Sequence, residues 1–148
     1  MVGENIGRVA SKLEPAEVNG AAVRAEFLEF GDSFARLEDG VIYELRVYTA
    51  NPGCMPALRA RFRDHTSRLF EKHGIKNIGY WTNLAGGRSD ELYYMVAYED
   101  LGARQPAWAA FIADPEWQAA YAESEKDGPL THHTRNMLLS PTDFSPLR

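Results

Sequence analysis

Apolar and polar positions alternate with a period of two from Val41 to Ala50, so Tyr43, Leu45 and Val47 line one side of a strand and Ile42, Glu44, Arg46 and Tyr48 the other. The run is rich in β-branched and aromatic residues and stops at Asn51-Pro52-Gly53, a turn signal. From Met55 the period becomes helical: Leu58, Phe62, His65, Leu69 and His73 fall on one stripe, Pro56 suits the first turn, and His73-Gly74 supplies a stop. This spacing predicts that His65 faces the core. Further strands are expected over 75–84 and 91–99, joined by the Gly-containing loop 85–90 and therefore antiparallel. Helical spacing returns over 102–111, with Trp108, Phe111 and Ile112 apolar. It returns again from Pro115, behind a capping Asp114, with Trp117 and Tyr121 four apart. A last strand over 133–140 sets His133, Arg135, Met137 and Leu139 against Thr134, Asn136, Leu138 and Ser140, and the Pro-rich tail 141–148 is expected to wrap the surface.

Strand, helix, strand, strand, helix, strand is the order of a ferredoxin-like βαββαβ fold, an α+β architecture with both helices on one face of an antiparallel four-stranded sheet. The free face, carrying Tyr and Trp, would expose a large apolar patch. A second copy related by a two-fold axis covers such a face, so a homodimer packed sheet to sheet, a dimeric α+β barrel, is expected. Residues 1–40 form an N-terminal extension in this reading, with 41–148 as the domain. Val23, Phe27 and Phe30 suit a helix, yet the same segment also alternates passably as a strand. The extension reads first as a structural pad and second as a partner-binding arm.

Composition narrows the classes without naming a reaction. With 148 residues, 45% hydrophobic and 25% charged, the chain is one domain's worth of globular protein. No apolar run approaches the ~20 residues of a membrane span, and the start lacks the basic and apolar regions of a signal peptide, so a cytoplasmic protein is expected. A net charge of -5 argues against nucleic acid as a partner. The single Cys54 excludes an intrachain disulfide framework, and it reads as a turn residue sooner than as a nucleophile.

Three segments resemble the NIPSNAP family of the dimeric α+β-barrel superfamily. They are Ile42-Tyr43-Glu44-Leu45-Arg46-Val47-Tyr48 followed by Pro52-Gly53, then Glu71-Lys72-His73-Gly74-Ile75-Lys76 leading to Gly79-Tyr80-Trp81, and Asp114-Pro115-Glu116-Trp117-Gln118 with Pro141 and Phe144-Ser145-Pro146. The resemblance implies the same ferredoxin-like monomer and barrel dimer. It implies no particular reaction, because the wider superfamily includes cofactor-free monooxygenases, isomerases, dehydratases and haem-using enzymes.

The strongest chemical signal is a polar set at core-facing positions. Glu44 and Arg46 lie two apart on one strand face, where neighbouring strands could add Trp81 or Tyr93, and Arg135; the set reads either as a substrate-orienting network or as a pair that fixes sheet register. His65 reads either as a satisfied core histidine or as a general base, with Arg46 or Arg135 stabilising the oxyanion formed. Tyr48, Trp81, Tyr93 and Trp108 are candidates to line a pocket for a flat ligand. His132 and His133 alternate to opposite faces, and Gly86-Gly87 opens no helix, so neither a metal nor a phosphate loop is expected. The expected function is a cofactor-independent enzyme of isomerase, cyclase or monooxygenase type acting on a small hydrophobic or aromatic metabolite. The alternative is a non-catalytic binding or protein-interaction module.

Overall fold

The computed structural model describes residues 40–147. The expected extension, apart from Gly40, lies outside the described residues, and so does the ambiguous segment 21–30. The chain runs through β1 (Ile42–Ala50), α1 (Met55–Arg61), a π-helical turn (Phe62–Thr66), α2 (Ser67–Lys72), β2 (Lys76–Thr82), β3 (Glu91–Tyr98), α3 (Leu101–Ala113), α4 (Pro115–Ser124) and β4 (Thr131–Leu139). The sheet order is β2-β3-β1-β4, with every neighbouring pair antiparallel. This is the ferredoxin-like arrangement that the order of elements predicts.

Register decides which side chains meet. Arg46 of β1 stands opposite Tyr94 of β3 and Asn136 of β4, while Val47 stands opposite Tyr93 and Arg135. Because alternate residues point to alternate faces, Glu44, Arg46 and Tyr48 share their face with Tyr94, Tyr98 and Asn136. That face turns toward the helices. Leu58, Phe62, Leu69, Phe70, Leu92, Tyr94, Val96 and Phe111 are buried in one cluster there. Its aromatic rings pack edge-on or tilted: Phe62 lies 4.9 Å from Tyr94, Phe70 lies 4.8 Å from Phe111, and Phe111 lies 4.5 Å from Trp117. Each such ring, once fully buried, contributes about 1.5–3 kcal/mol.

Asp114 ties the helices to one another. One carboxylate oxygen accepts the Glu116 backbone N–H at the start of α4, and the other takes bonds from Lys72 and His73, both at 2.7 Å, at the end of α2. Those two partners, Lys72 foremost, hold its carboxyl well below the usual carboxylate range. In the β2 strand, Gly79 makes room for Trp81: a Cβ at position 79 would meet the indole at 2.6 Å.

His65 does not face the core. It is exposed, whereas Thr66 beside it is 1% exposed and donates from Oγ1 to the carbonyl of Arg61. The cause is the π turn, in which Ser67 N–H reaches back to the carbonyl of Phe62. A wide turn takes one extra residue per revolution, so the inward stripe runs Leu58, Phe62, Thr66, Leu69 and His65 rotates outward. Replacing His65 by Ala should therefore change unfolding free energy by no more than about 0.5 kcal/mol, as at other surface sites. Leu69→Ala, at a fully buried position, should cost about 2–5 kcal/mol. Chemical denaturation measures both, and a large loss at His65 would contradict this placement.

Candidate active site

Glu44 sits in the middle of β1 with no exposed surface. A buried carboxylate is stable as an anion only when donors surround it. Oε1 accepts from Arg46 Nη1 at 2.8 Å, Arg104 Nη2 at 2.8 Å and Asn136 Nδ2 at 3.0 Å. Oε2 accepts from Tyr98 OH at 2.9 Å and Arg104 Nε at 2.9 Å. Burial pulls its pKa upward, but the hydrogen bonds from Arg104 and Asn136 and the charge of Arg46 outweigh this and hold it at about 2. Glu44 is thus a permanent anion with its lone pairs engaged, which suits a structural hub and not a proton acceptor.

Aromatic groups hold Arg46 as well. The Arg46 guanidinium lies over the Trp108 ring at 4.5 Å from the centroid, and its Nη2 donates to Tyr48 OH at 3.2 Å. Trp108 Nε1 donates in turn to Tyr98 OH at 2.6 Å. Burial, and then the negative charge of Glu44, push the Tyr98 phenol well up, so it remains a neutral donor. Burial likewise pushes the Tyr94 phenol far up.

Above this floor opens a cleft of ≈ 920 Å³ between the sheet and the helices. Arg46 and Tyr48 of β1 and Thr134 of β4 border it from the sheet, Arg104 and Trp108 from α3, and Trp117 and Tyr121 from α4. Arg61 enters from the end of α1, with its Nη1 on Glu125 at 2.6 Å and Ser124 at 3.1 Å, and its guanidinium 5.2 Å from the Tyr121 ring.

Of the residues predicted from the pattern, Glu44, Arg46, Tyr48 and Trp108 come together here. Four others do not. His65 is on the outside, for the reason given above. Trp81, Tyr93 and Arg135 lie on the opposite sheet face, because β1 meets β3 and β4 in even-to-even register; Trp81 pairs with Tyr93 across β2 and β3, and Arg135 bonds Glu91 at 3.1 Å. Asn136 takes the place foreseen for Arg135. Arg104, Tyr98 and Arg61 were missed by sequence reasoning. Arg104 was legible, since it lies four residues before Trp108 and seven before Phe111 on the inward stripe of a helix. Among the described residues, no grouping of three or more His, Cys, Asp or Glu side chains could hold a metal ion.

Comparison with known proteins agrees with this architecture. The NIPSNAP family model matches residues 43–146, most of the chain. The chain belongs to the NIPSNAP family. It is 29% identical to human NipSnap homolog 3A over 112 residues, covering 74% of this chain and 44% of that protein, and 29% identical to mouse NipSnap homolog 3B over 86 residues, covering 58% and 34%. The chain thus spans less than half the length of these curated relatives. A NIPSNAP family protein of unknown function from Agrobacterium tumefaciens superposes with a TM-score of 0.65 at 26% identity, covering 74% of this chain and 96% of that one. These matches show a NIPSNAP fold.

The Glu44 hub makes the stability of this NIPSNAP domain depend on acid. Its pKa falls from 4.5 to about 2 on folding, so its contribution is fully present above pH 4.5 and disappears as the pH falls toward 2. The shift corresponds to on the order of 3 kcal/mol. Glu44→Gln lacks this term, so the stability gap between wild type and variant should narrow by about that amount between pH 4.5 and 2. A gap that does not change with pH would show that Glu44 is not an engaged anion.

Proposed function

We propose that residues 41–148 form one protomer of a homodimeric, cytoplasmic small-molecule-binding protein whose ligand occupies the cleft between sheet and helices. The observation that carries this reading is the ≈ 920 Å³ opening with Arg46, Arg104, Tyr48 and Trp108 at its floor. That size and mixture, mostly apolar walls with a few convergent polar groups, are those of a metabolite site. Among the described residues no helix is long and apolar enough to cross a membrane.

The lining favours one kind of chemistry. The guanidiniums of Arg46 and Arg104 can stabilise an oxyanion on a hydrophobic or aromatic metabolite, as in a cofactor-independent isomerisation, cyclisation or oxygenation of a substrate that enters the cleft already deprotonated, its proton left in solvent water. Among the described residues no base accompanies them: Glu44 is engaged by five hydrogen bonds, and His65 is outside. The base role expected for His65 is therefore dropped, and Arg46 is the residue assigned to the reacting oxygen. A non-catalytic binding module would keep this cleft and show no turnover.

The opposite sheet face supports the dimer. Trp81 on β2 is 51% exposed and Met137 on β4 is 48% exposed, so apolar side chains stand at both edges of that face. An apolar face of this kind is a candidate for pairing with a second copy.

Two measurements test the reading. With 1-naphthoate and 1-naphthamide as probes, at least one should bind by calorimetry, and Ala109→Trp, at an exposed position lining the cleft, should abolish that binding. Binding that survives Ala109→Trp would place the ligand elsewhere. Sedimentation should give twice the 16.6 kDa chain mass, and Met137→Glu should give a monomer; a wild-type monomer would remove the dimer.

A further inference from the structure

We infer that the cleft takes a flat aromatic monoanion, its acidic group seated at Arg46 and Arg104 and its ring beside Trp108. This rests on the cleft reading above and adds the charge and shape of the ligand.

Charge comes first. Among the described residues the cleft is lined by three arginines, Arg46, Arg61 and Arg104, and by no Asp or Glu. The two carboxylates that answer them, Glu44 and Glu125, lie behind the lining, so three positive charges face two negative ones and one positive charge is left over. A single excess charge in a cleft that stays open to solvent and its ions favours a single negative charge on the occupant.

Hydrogen-bonding capacity points the same way. A guanidinium carries five N–H donors and no acceptor. The bidentate bond of Arg104 to Glu44 uses Nε and Nη2, so the carboxylate does not engage Nη1. Among the described residues the Nε atoms of Arg46 and Arg61, both in the lining, sit buried without a partner, so no protein acceptor answers them. Arg104 Nη1 is the nitrogen that Glu44 leaves for an occupant, and an oxyanion brings it an acceptor.

Shape follows from the walls. Arg46 over Trp108 and Arg61 beside Tyr121 and Trp117, at 5.2 and 5.8 Å, make three cation–aromatic contacts within one cleft. A planar ring can stack against such guanidinium and indole faces, whereas an inorganic anion uses the charge and leaves the aromatic walls idle. Aromatic carboxylates and delocalised enolates or phenolates share the required chemistry.

The test compares 1-naphthoate with 1-naphthamide, which have the same ring and differ in charge, on the intact protein by calorimetry. Naphthoate should bind roughly tenfold more tightly, the size of one modest charge interaction of ~1.4 kcal/mol. The preference should shrink as NaCl is raised from about 0.1 to about 1 M, where the screening length falls from ~10 to ~3 Å. Arg104→Gln should bring the two affinities within about twofold, and Arg104→Lys should keep most of the difference. Equal binding of both probes, or a preference unaffected by salt, overturns the monoanion and leaves the cleft standing. Binding of neither probe overturns both. The salt series on wild type decides the matter even if Arg104→Gln fails to fold.

Discussion

A carboxylate deprived of water must either take up a proton or be ringed by donors, and Glu44 is ringed. Arg46 reaches it from its own strand, Asn136 from β4, Tyr98 from β3 and Arg104 from α3. Three strands and one helix thus converge on two oxygens. Removing the carboxylate would leave two guanidiniums uncompensated beneath the helices, a loss of about 3–5 kcal/mol for buried pairs broken from one side. The pairing also fixes register, since a slip by one residue would carry Glu44 to the other face and away from every one of these donors.

The same hub explains why the cleft looks as it does. Arginine is held against Trp108 and Tyr48 because Glu44 anchors one end of each guanidinium, and the remaining donors are left where the helices part from the sheet. A site built this way is suited to hold negative charge. Among the described residues the buried carboxylate at its floor, Glu44, already has both oxygens engaged, which leaves it poorly suited to remove a proton. Arginines fixed by a buried carboxylate beside aromatic rings are what these elements present, and the fold around them is the NIPSNAP fold.

Much of this was legible in the order of residues. The alternation Ile42, Glu44, Arg46, Tyr48 puts an acid, a base and a phenol on one face, and the element order leads to the sheet topology. Two features were not legible, each for a physical reason. The π turn adds a residue to one revolution of helix, so a stripe counted at 3.6 residues per turn assigned His65 inward when Thr66 goes there. Strand pairing register depends on contacts far apart in sequence, so Arg135 and Asn136 could not be told apart as neighbours of Arg46. Arg104 was readable from its spacing to Trp108, but a charged residue in a helix is ordinarily read as solvated.

The account stands on Glu44 remaining ionised with both oxygens occupied. The most direct measurement is a carbon NMR titration of its side-chain carboxyl in the folded protein, from neutral pH downward. A midpoint near 2, with no change between pH 7 and pH 4, is the predicted result. A midpoint at or above the ordinary value of 4.5 would mean that burial wins over the donors, and that the arginines of the cleft are not held by this carboxylate.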